Sequence, residues 1–466
     1  MNSAHVIAQL VAKARTAQAV ANDYDQTQVD RVCSAAAWAI MEPTRNRSLA
    51  ELAVQATGLG NVADKIQKNY RKTLGLIRDL HGAKSVGVIS ENAHTGVTEI
   101  VRPAGVVGAI TPSTNPGATP ANMIVNAMKG RNAIILAPSP KGYSTAALLL
   151  QYVYAEFDRI GAPHDLVQLL PSPVSKALTF ELMRQVDLVV ATGSQANIHA
   201  AYSSGTPAFG VGAGNVAVIV DGSADTAAAA ERIVRSKIFD NATSCSSENS
   251  MIVVEAIYPA MIAAMEARGC ILLNDSEKAQ LQTIMFPAGK LSPVVTAKSA
   301  SEIARLAGID RAVNARVLMV NETGAGDQFP FSGEKLSPVL SVYRAPDIEA
   351  ACRCVRDIYA YQGAGHSVGI HASPDRADEL SLQLGLTLPV ARVIVNQAHC
   401  IATGGSFDNG LPFSLSMGCG TWGGNSFSDN LTYRNFLNIT RIASPIDERM
   451  PNEAELLADY FAHVAQ

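Results

Sequence analysis

Residues 106–138 read VVGAITPSTNPGATPANMIVNAMKGRNAIILAP and decide the fold. They contain an apolar β-type run, a helical stretch, TPANMIVNAMKG, and a second apolar run, NAIILAP. Both runs are apolar on each face, which is expected for strands that helices cover on both sides. A strand, a helix and a strand in this order are typical of a parallel sheet with right-handed crossovers.

The same alternation continues at intervals of roughly 20–35 residues and resumes in a second α/β unit. Further strands of the first unit are predicted at DLVQLLPS, VDLVVATGS and NVAVIVD, which places the boundary between the units near residues 221–223. Strands of the second unit are predicted at MIVVE, ARVLMV, HSVGIHA and ARVIVNQ. Sheets of this kind bind ligands beyond the carboxyl ends of their strands.

Residues 84–103 predict a β-hairpin outside the main sheet, because KSVGVISENAHTGVTEIVRP alternates β-branched residues around AHTG. An isolated hairpin needs a surface to pack on. A partner subunit would supply such a surface, so a homo-oligomer is expected.

The composition excludes several classes of protein. The 466 residues are 48% hydrophobic, enough for two cores, since single cores stop growing near about 250–300 residues. A net charge of −4 with mixed acids and bases gives no polybasic surface for nucleic acid. The apolar runs fall short of the roughly 20 residues of a membrane span, and the N-terminal stretch lacks the apolar core of a signal peptide. The seven cysteines contain no CxxC pair, so we expect reduced thiols, no metal and a cytoplasmic location.

Cys245 differs from the other cysteines because it lies in a polar loop, NATSCSSENS, at residues 241–250. Neighbouring hydroxyls and backbone N–H groups can stabilise a thiolate, which is the reactive form. The loop alone leaves two interpretations open, a nucleophile and a small residue in a tight turn. The remaining cysteines are predicted to pack in helices or at helix ends (Cys33, Cys270, Cys352, Cys354) or to line a pocket without reacting (Cys400, Cys419).

The glycine-rich stretch GVGAGN at residues 210–215 does not predict a dinucleotide fingerprint. That fingerprint follows a strand and opens a helix, whereas this stretch precedes the predicted strand VAVIVD. The sequence also lacks a G-x-S-x-G elbow, an H-E-x-x-H pair and a P-loop.

Several motifs in order make the chain resemble the aldehyde dehydrogenase family, specifically its CoA-acylating branch, over about residues 5–440. They are TPSTNP, ATGS, FDNATSC, EKLSPV, QGAGHSVGIH and NQAHCIATGGSFDNG. The resemblance implies an α/β fold with two doubly wound parallel-sheet domains and a small oligomerisation hairpin. The implied division is a cofactor-binding domain (1–221, with the hairpin 84–103), a catalytic domain (222–412), and a segment that returns to the cofactor domain and ends in an oligomerisation segment (413–466). A homodimer or homotetramer is expected.

The resemblance also implies the functional residues. Cys245 is the expected nucleophile, Asn115 supplies the oxyanion-binding amide, and His366 lies near the CoA thiol unless it is only bonded to backbone. The expected substrate residues are Ser246, His399 and Thr403, although His399 also fits a hydrogen-bonded loop residue. The expected cofactor-binding residues are Thr111, Pro112, Ser139, Lys141, Thr192, Gly193, Ser194, Gly212, Glu334 and Leu336.

Two departures from the family pattern predict the chemistry. Hydrolytic members have a Glu that activates water where this chain has Gly210, whether or not Gly210 is also a turn glycine. A positioned base contributes about 10²–10⁴-fold, and a thiol needs less help than water, so CoA is the expected acceptor. In LAPSPKGYS, Ala137 and Pro140 replace the Lys and Glu that hold the adenosine ribose. Lys141 could then pair with a 2′-phosphate, which favours NADP, with NAD as the alternative.

The C-terminal half resembles the group within this branch that acts on aldehydes with an anionic tail, which implies CoA-acylating oxidation of a small aldehyde of that kind. Sulfoacetaldehyde is favoured because hydroxyls and a His suit a compact sulfonate, and succinic semialdehyde, acetaldehyde and propionaldehyde are the alternatives. A second hypothesis is a hydrolytic dehydrogenase in which Glu248 activates water. A third is a non-catalytic scaffold, which the filled nucleophile, amide and cofactor positions disfavour.

Overall fold

The computed structural model describes residues 2–212 and 214–464, in which helices and strands alternate along most of the chain. Met1, Ala213 and residues 465–466 lie outside the described residues, so the predicted segments 1–221 and 413–466 and the stretch GVGAGN are covered only in part. The helices are α1 (Ser3–Asn22), α2 (Gln26–Met41), α3 (Pro43–Thr57), α4 (Val62–Leu80), α5 (Ala118–Lys129), α6 (Tyr143–Ile160), α7 (Lys176–Gln185), α8 (Gln195–Tyr202), α9 (Thr226–Ile238), α10 (Tyr258–Glu266), α11 (Asp275–Met285), α12 (Ala300–Ala307), α13 (Ile348–Tyr361), α14 (Pro374–Thr387), α15 (His399–Ala402), α16 (Glu453–Leu456) and α17 (Ala458–Val464).

The strands form two parallel sheets and one antiparallel sheet. The five-stranded sheet has the order β5-β4-β3-β6-β7, the seven-stranded sheet β10-β11-β12-β9-β8-β13-β14, and the three-stranded antiparallel sheet β1-β2-β15. Their bounds are β1 (Gly87–Asn92), β2 (Val97–Pro103), β3 (Val106–Thr111), β4 (Ala133–Pro138), β5 (Val167–Leu169), β6 (Leu188–Thr192), β7 (Ala208–Val211), β8 (Val216–Val220), β9 (Glu248–Val254), β10 (Cys270–Leu272), β11 (Val317–Asn321), β12 (Val339–Ala345), β13 (Val368–His371), β14 (Val393–Val395) and β15 (Leu437–Ala443).

The stretch 106–138 forms the centre of the five-stranded sheet, as its pattern predicts. β3 and β4 pair in parallel, with Val106 opposite Ala133 and Thr111 opposite Pro138. Every residue of both strands and of the intervening α5 is buried. The strands are apolar throughout because helices cover both faces of the sheet. The carboxyl ends of β3, β4 and β6 therefore lie together at one edge of the sheet.

Strand β8, which the sequence analysis placed before the unit boundary, belongs to the second sheet instead. It pairs with β9 and β13. The strand that closes the first sheet is β7, which pairs with β6 and was not predicted. A run such as VAVIV is apolar on both faces in either sheet, so its pattern does not say which sheet it joins. The proposed domain bounds remain a prediction.

The predicted hairpin exists as β1 and β2, and β15 adds a third strand to it. β15 pairs antiparallel with β2 along its whole length, from Leu437 opposite Pro103 to Ala443 opposite Val97. The surface that the hairpin needs is thus supplied partly by this chain's own C-terminal region. Ile439 and Ile442 of β15 are exposed.

In residues 2–212 and 214–464, no helix combines the length and the apolar character needed to span a bilayer.

Candidate active site

The loop that carries Cys245 has an unusual backbone. Asp240, Asn241 and Ala242 are three consecutive residues with positive φ, at 51°, 51° and 58°. The left-handed region costs roughly 1–2 kcal/mol per non-glycine residue, so other contacts must hold this segment. Cys245 follows directly, between this segment and the start of β9.

Two buried lysines of α4 supply those contacts. Nζ of Lys65 and Nζ of Lys68 lie 3.0 Å and 2.6 Å from Oδ2 of Asp240, and Thr243 Oγ1 donates to the same oxygen at 2.7 Å. Burial works to raise the pKa of Asp240, but the two ammonium groups outweigh it and lower the pKa. The ionised carboxylate therefore fixes the turn that precedes Cys245.

Lys68 also orients Asn115. Nζ of Lys68 donates to Oδ1 of Asn115 at 2.8 Å. An ammonium group can only donate, so the amide oxygen faces Lys68 and Nδ2 is left to donate elsewhere. Among the described residues, no acceptor lies within hydrogen-bond distance of this Nδ2. Nδ2 of Asn115, the predicted oxyanion donor, thus has no acceptor among these residues.

Behind Cys245 runs a buried hydrogen-bond chain. Sγ of Cys245 lies 3.4 Å from Nε2 of His366, and Nδ1 of His366 lies 2.8 Å from Oγ of Ser367. The same oxygen lies 2.8 Å from Nε2 of His399. The two imidazoles and the serine are each at most 1% exposed. The chain offers a path for a proton between Cys245 and the interior.

The thiol and the two imidazoles of this hydrogen-bond chain are uncharged at neutral pH. Burial, followed by the charge of Glu334, raises the pKa of Cys245 to about 12. Burial, followed by the nearby Arg392, lowers the pKa of His366 to about 3. Burial also holds the pKa of His399 well below its usual range. The thiol therefore keeps its proton in the free protein.

This pKa predicts the reactivity of the free thiol. Because only the thiolate reacts and pH 7–9 lies well below 12, the rate of Cys245 alkylation by iodoacetamide should rise about tenfold per pH unit across that range. Rates followed by mass spectrometry of the Cys245 peptide test this. A rate that levels off below pH 8 would contradict it.

Ser367 links the two imidazoles, which gives a second prediction. Ser367→Ala should leave the tautomer of His366 unfixed and lower kcat by about tenfold or more, since a correctly placed base contributes 10²–10⁴-fold. Ser367→Thr keeps the hydroxyl and should restore much of the rate. Ser34→Ala, at an exposed serine of α2, is the matched control. Equal kcat in Ser367→Ala and wild type would exclude a role for the link.

Cys245 lines a cleft of about 400 Å³ at the carboxyl edge of the five-stranded sheet. All but one of the predicted cofactor residues line this cleft together with Cys245 and Asn115; the exception, Lys141, is exposed one residue beyond Pro140. The residues that do line it are Thr111, Pro112, Ser139, Thr192, Gly193, Ser194, Gly212, Glu334 and Leu336.

The cleft has the features that a dinucleotide needs. Gly193 has φ +154°, and a Cβ there would meet only Pro112 and Asn197, each at 4.0 Å. Its backbone therefore borders open space, beside the N-terminus of α8, which Ser194 caps. Helix N-termini and bare backbone suit phosphate groups. We conclude that the residues fit a nicotinamide dinucleotide.

Gly210 is a strand residue of β7 and not a turn glycine. A Cβ at this position would lie 2.7 Å from Cγ2 of Ile198 and 2.9 Å from Cε2 of Tyr202. The Tyr202 hydroxyl bonds to both backbone groups of Gly210. The position thus lacks a carboxylate, and the space beside it is filled by α8.

Two other carboxyl groups lie near Cys245 in sequence or in the cleft. Glu248, which the hydrolytic hypothesis requires, is fully buried, bonds to Ser236 and does not line the cleft. Glu334 does line the cleft, where burial raises its pKa to about 8 although the backbone N–H of Gly214 partly offsets this. At pH 7 Glu334 is therefore mostly protonated and is a poor base.

A second cavity, of about 430 Å³, meets the cleft at Asn115, Ser244 and Leu415, which line both. Sequence reasoning missed its dominant feature, a set of four cationic side chains with one carboxylate, that of Asp64. The cations are Lys68, Arg71, Lys72 and Arg235.

The predicted substrate residues line neither cavity. Ser246 is buried and bonds to Ser244, and Thr403 donates to the carbonyl of His399. Their hydroxyl groups are used to shape the loops, while His399 belongs to the hydrogen-bond chain described above. In residues 2–212 and 214–464, no group of three acidic, Cys or His side chains is arranged to hold a metal ion.

Known proteins are similar to this chain in fold and in sequence. The profile of the aldehyde dehydrogenase family matches residues 2–331. A sulfoacetaldehyde dehydrogenase (acylating) of Cupriavidus necator is 64% identical, over 100% of this chain and 94% of its own length. A succinate-semialdehyde dehydrogenase (acetylating) of Clostridium kluyveri is 37% identical, over 94% of this chain and 95% of its own. The structure of an acetylating aldehyde dehydrogenase from Geobacillus thermoglucosidasius superposes with a TM-score of 0.91 and 34% identity, covering 97% of this chain and 98% of that one.

The chain belongs to the aldehyde dehydrogenase family. It is an acylating aldehyde dehydrogenase, an oxidoreductase that acts on aldehydes. The family, the fold class and the enzyme class predicted from the sequence are confirmed.

Proposed function

We propose that this enzyme converts sulfoacetaldehyde, CoA and NADP⁺ into sulfoacetyl-CoA, NADPH and a proton, through a thioester on Cys245. The observation that carries the proposal is that Cys245 lines the cleft of the predicted cofactor residues, beside Ser244 and Asn115, which also line the cation-lined cavity. The 64% identical sulfoacetaldehyde dehydrogenase supports the choice of aldehyde.

The first step is the attack of the Cys245 sulfur on the aldehyde carbon. The pKa values of Cys245 and His366, about 12 and about 3, keep the pair neutral beforehand. The thiol proton therefore leaves only as the carbon–sulfur bond forms, with Nε2 of His366 in place to receive it. Nδ2 of Asn115 and the backbone N–H of Cys245 stabilise the oxyanion that results.

Gly193, Ser194 and Glu334 of the cleft would hold NADP⁺, which would supply the hydride acceptor for oxidation of the Cys245 adduct to a thioester. The thioester then meets a CoA thiol. The imidazolium of His366, with its pKa of about 3, loses the first proton to solvent, and this is the proton released in the overall reaction. Nε2 of His366 can then accept the proton of the incoming thiol. CoA sulfur attacks the acyl carbon, and the Cys245 thiolate leaves and takes that proton from His366.

Water competes poorly with CoA for this thioester. Gly210 carries no side chain where hydrolytic members have a Glu, and Glu334 is mostly protonated at pH 7. A thiol ionises in part near neutral pH, whereas water requires a base. CoA is therefore the proposed acceptor.

A kinetic panel tests the substrate. We expect kcat/KM for sulfoacetaldehyde to exceed that for succinic semialdehyde, and both to exceed those for acetaldehyde and propionaldehyde. Succinic semialdehyde is the second candidate, because the 37% identical relative is a succinate-semialdehyde dehydrogenase. If acetaldehyde were the best substrate, the proposal that the enzyme prefers aldehydes with an anionic tail would be wrong.

The preference for NADP over NAD is a prediction about Lys141. Lys141→Met should raise KM for NADP⁺ by about tenfold, the loss of one charge-assisted hydrogen bond, and leave KM for NAD⁺ nearly unchanged. Lys176→Met, at an exposed lysine that begins α7, is the control. A parallel change in both constants would show that Lys141 does not read the 2′-phosphate.

The proposal also includes a homodimer or homotetramer in the cytoplasm. The exposed isoleucines of β15 support association through the three-stranded sheet.

A further inference from the structure

The four cations of the second cavity fall into two kinds. Nζ of Lys68 has three partners, Asn115, Asp240 and Thr243, at 2.6–3.1 Å. Because an ammonium group has three N–H bonds, Lys68 has none left for a ligand. Its role is to hold the nucleophile loop.

Lys72 is occupied in the same way. Its Nζ donates to the carbonyl oxygens of Ile401, Gly404 and Gly405, at 3.3, 2.9 and 2.9 Å. Burial lowers the pKa of Lys72 to about 7, so its charge is also incomplete at neutral pH. Lys72 shapes the wall of the cavity.

Arg71 and Arg235 are different. Among residues 2–212 and 214–464, no hydrogen-bond acceptor and no carboxylate within ion-pair distance contacts either guanidinium group. Arg71 is half-buried and stacks over the ring of Phe407 at 5.1 Å. Arg235 lies in the last turn of α9 and is exposed. Each guanidinium thus has its N–H donors available.

Two carboxylates line these cavities, and neither forms an ion pair with Arg71 or Arg235. Asp64 accepts hydrogen bonds from Asn61 and from the backbone of Asp240. Asp408, in a neighbouring cavity of about 440 Å³ that Arg71 and Arg235 also line, bonds to Ser406. A third arginine, Arg232, lines that neighbouring cavity. The three arginines outnumber the two carboxylates, so the region around the wall that the two cavities share carries a net positive charge.

We propose that Arg71 and Arg235 together bind the sulfonate group of the substrate and so select aldehydes with an anionic tail. This inference rests on the proposed function. A sulfonate stays ionised at all working pH values and offers three oxygens, which planar guanidinium groups bind through paired N–H donors. Arg71 follows Lys68 by three positions on α4, so its side chain and the lysine that orients Asn115 lie on the same face of the helix.

The experiment compares Arg71→Met, Arg235→Met and the double variant with wild type. Each single change should lower kcat/KM for sulfoacetaldehyde by about 10- to 100-fold, the range for hydrogen bonds to a charged group. The kcat/KM for acetaldehyde, which has no anionic tail, should stay within about threefold. Arg71→Lys keeps the charge without the paired donors and should recover only part of the loss.

Arg305→Met is the matched control, because Arg305 is an exposed arginine in the last turn of α12 and lines neither cavity. A second readout uses ethanesulfonate, an unreactive sulfonate, as a competitive inhibitor of acetaldehyde oxidation. Wild type and Arg305→Met should be inhibited equally, and the double variant should resist inhibition by at least tenfold.

The outcomes separate the two proposals. If sulfoacetaldehyde were a poor substrate while ethanesulfonate competed through Arg71 and Arg235, the choice of substrate would fail and the anion site would stand. If sulfoacetaldehyde were the best substrate but the variants slowed all aldehydes equally, the arginine site would be overturned. Ethanesulfonate that failed to compete in wild type would also overturn it.

Discussion

Replacement of Cys245 by Ala is expected to abolish acyl-CoA formation, with kcat reduced by roughly 10⁴-fold or more, as for other covalent nucleophiles. No neighbouring group can replace the sulfur. Cys400 and Cys419 are buried and do not line the cleft with Cys245, and the Cys400 thiol donates to the backbone carbonyl of Ser236. The measurement is NADPH and acyl-CoA formation with sulfoacetaldehyde and CoA both present.

The matched control is Cys354→Ala, in the half-buried part of α13. It should keep wild-type activity, which shows that loss of one thiol is not harmful in itself. Cofactor binding to Cys245→Ala, followed by quenching of protein fluorescence, should also be unchanged. A variant that retained more than about 1% of wild-type kcat would exclude Cys245 as the nucleophile.

Replacement of Asn115 by Ala should lower kcat by about 10²–10³-fold, because an oxyanion donor is worth roughly 3–4 kcal/mol in the transition state. KM for the aldehyde should change much less, since the donor acts on charge that develops only during attack. Steady-state kinetics with the preferred aldehyde separate the two constants.

Asn115→Ala also removes an acceptor from Lys68, so a second variant is needed. Asn115→Asp has the same shape and still accepts from Lys68 at its 2.8 Å contact, but it offers no N–H donor. If the amide stabilises the oxyanion, Asn115→Asp should be at least as slow as Asn115→Ala while unfolding at a temperature close to that of wild type. Near-normal kcat in Asn115→Asp would show that Asn115 acts only through Lys68.

The sequence predicts the fold well where its pattern depends on local rules. β3, α5 and β4 follow from hydrophobic runs and their spacing, and the hairpin follows from its alternating residues. The assignment of β8 to a sheet was wrong because that choice depends on long-range pairing with β9 and β13. β15 was missed because its residues are mostly exposed, so the strand lacks an apolar pattern.

The candidate site divides in the same way. Positions such as Cys245, Asn115 and Glu334 could be placed by motif, since the motif fixes the local backbone. The motifs could not predict which hydroxyl groups reach a cavity. Ser246 and Thr403 are buried, and their hydroxyl groups make contacts that shape the loops. Pattern alone does not reveal the direction of a side chain in an irregular loop.

The lysines of α4 carried a signal that went unused. Lys65, Lys68 and Lys72 are spaced by three and four residues, so they share one face of the helix, and Lys65 and Lys68 are buried there. Buried charges are normally paired. Such a stripe therefore indicates a polar partner inside the protein, here Asp240 for the first two residues and backbone carbonyls for the third.

The cleft contains one carboxyl group that could act as a base for water when it is ionised. Among the described residues that line it, Glu334 alone is acidic. Its pKa of about 8 leaves it mostly protonated at pH 7, and its contact with the nicotinamide ribose, which the family motif implies, stays a prediction. Hydrolysis through Glu334 would grow as the pH rises above 8, because the ionised form is the base.

A single-turnover experiment at pH 7 tests most directly whether the acyl group remains bound to Cys245 as a thioester until CoA reacts with it. Enzyme is mixed with NADP⁺ and sulfoacetaldehyde in the absence of CoA. NADPH formation is followed by absorbance, and the mass of the Cys245 peptide is measured by mass spectrometry. We expect a burst of about one NADPH per active site, an acyl adduct on that peptide, and its release as acyl-CoA when CoA is added. Sustained NADPH production with free sulfoacetate, at a rate comparable to that with CoA, would contradict the account.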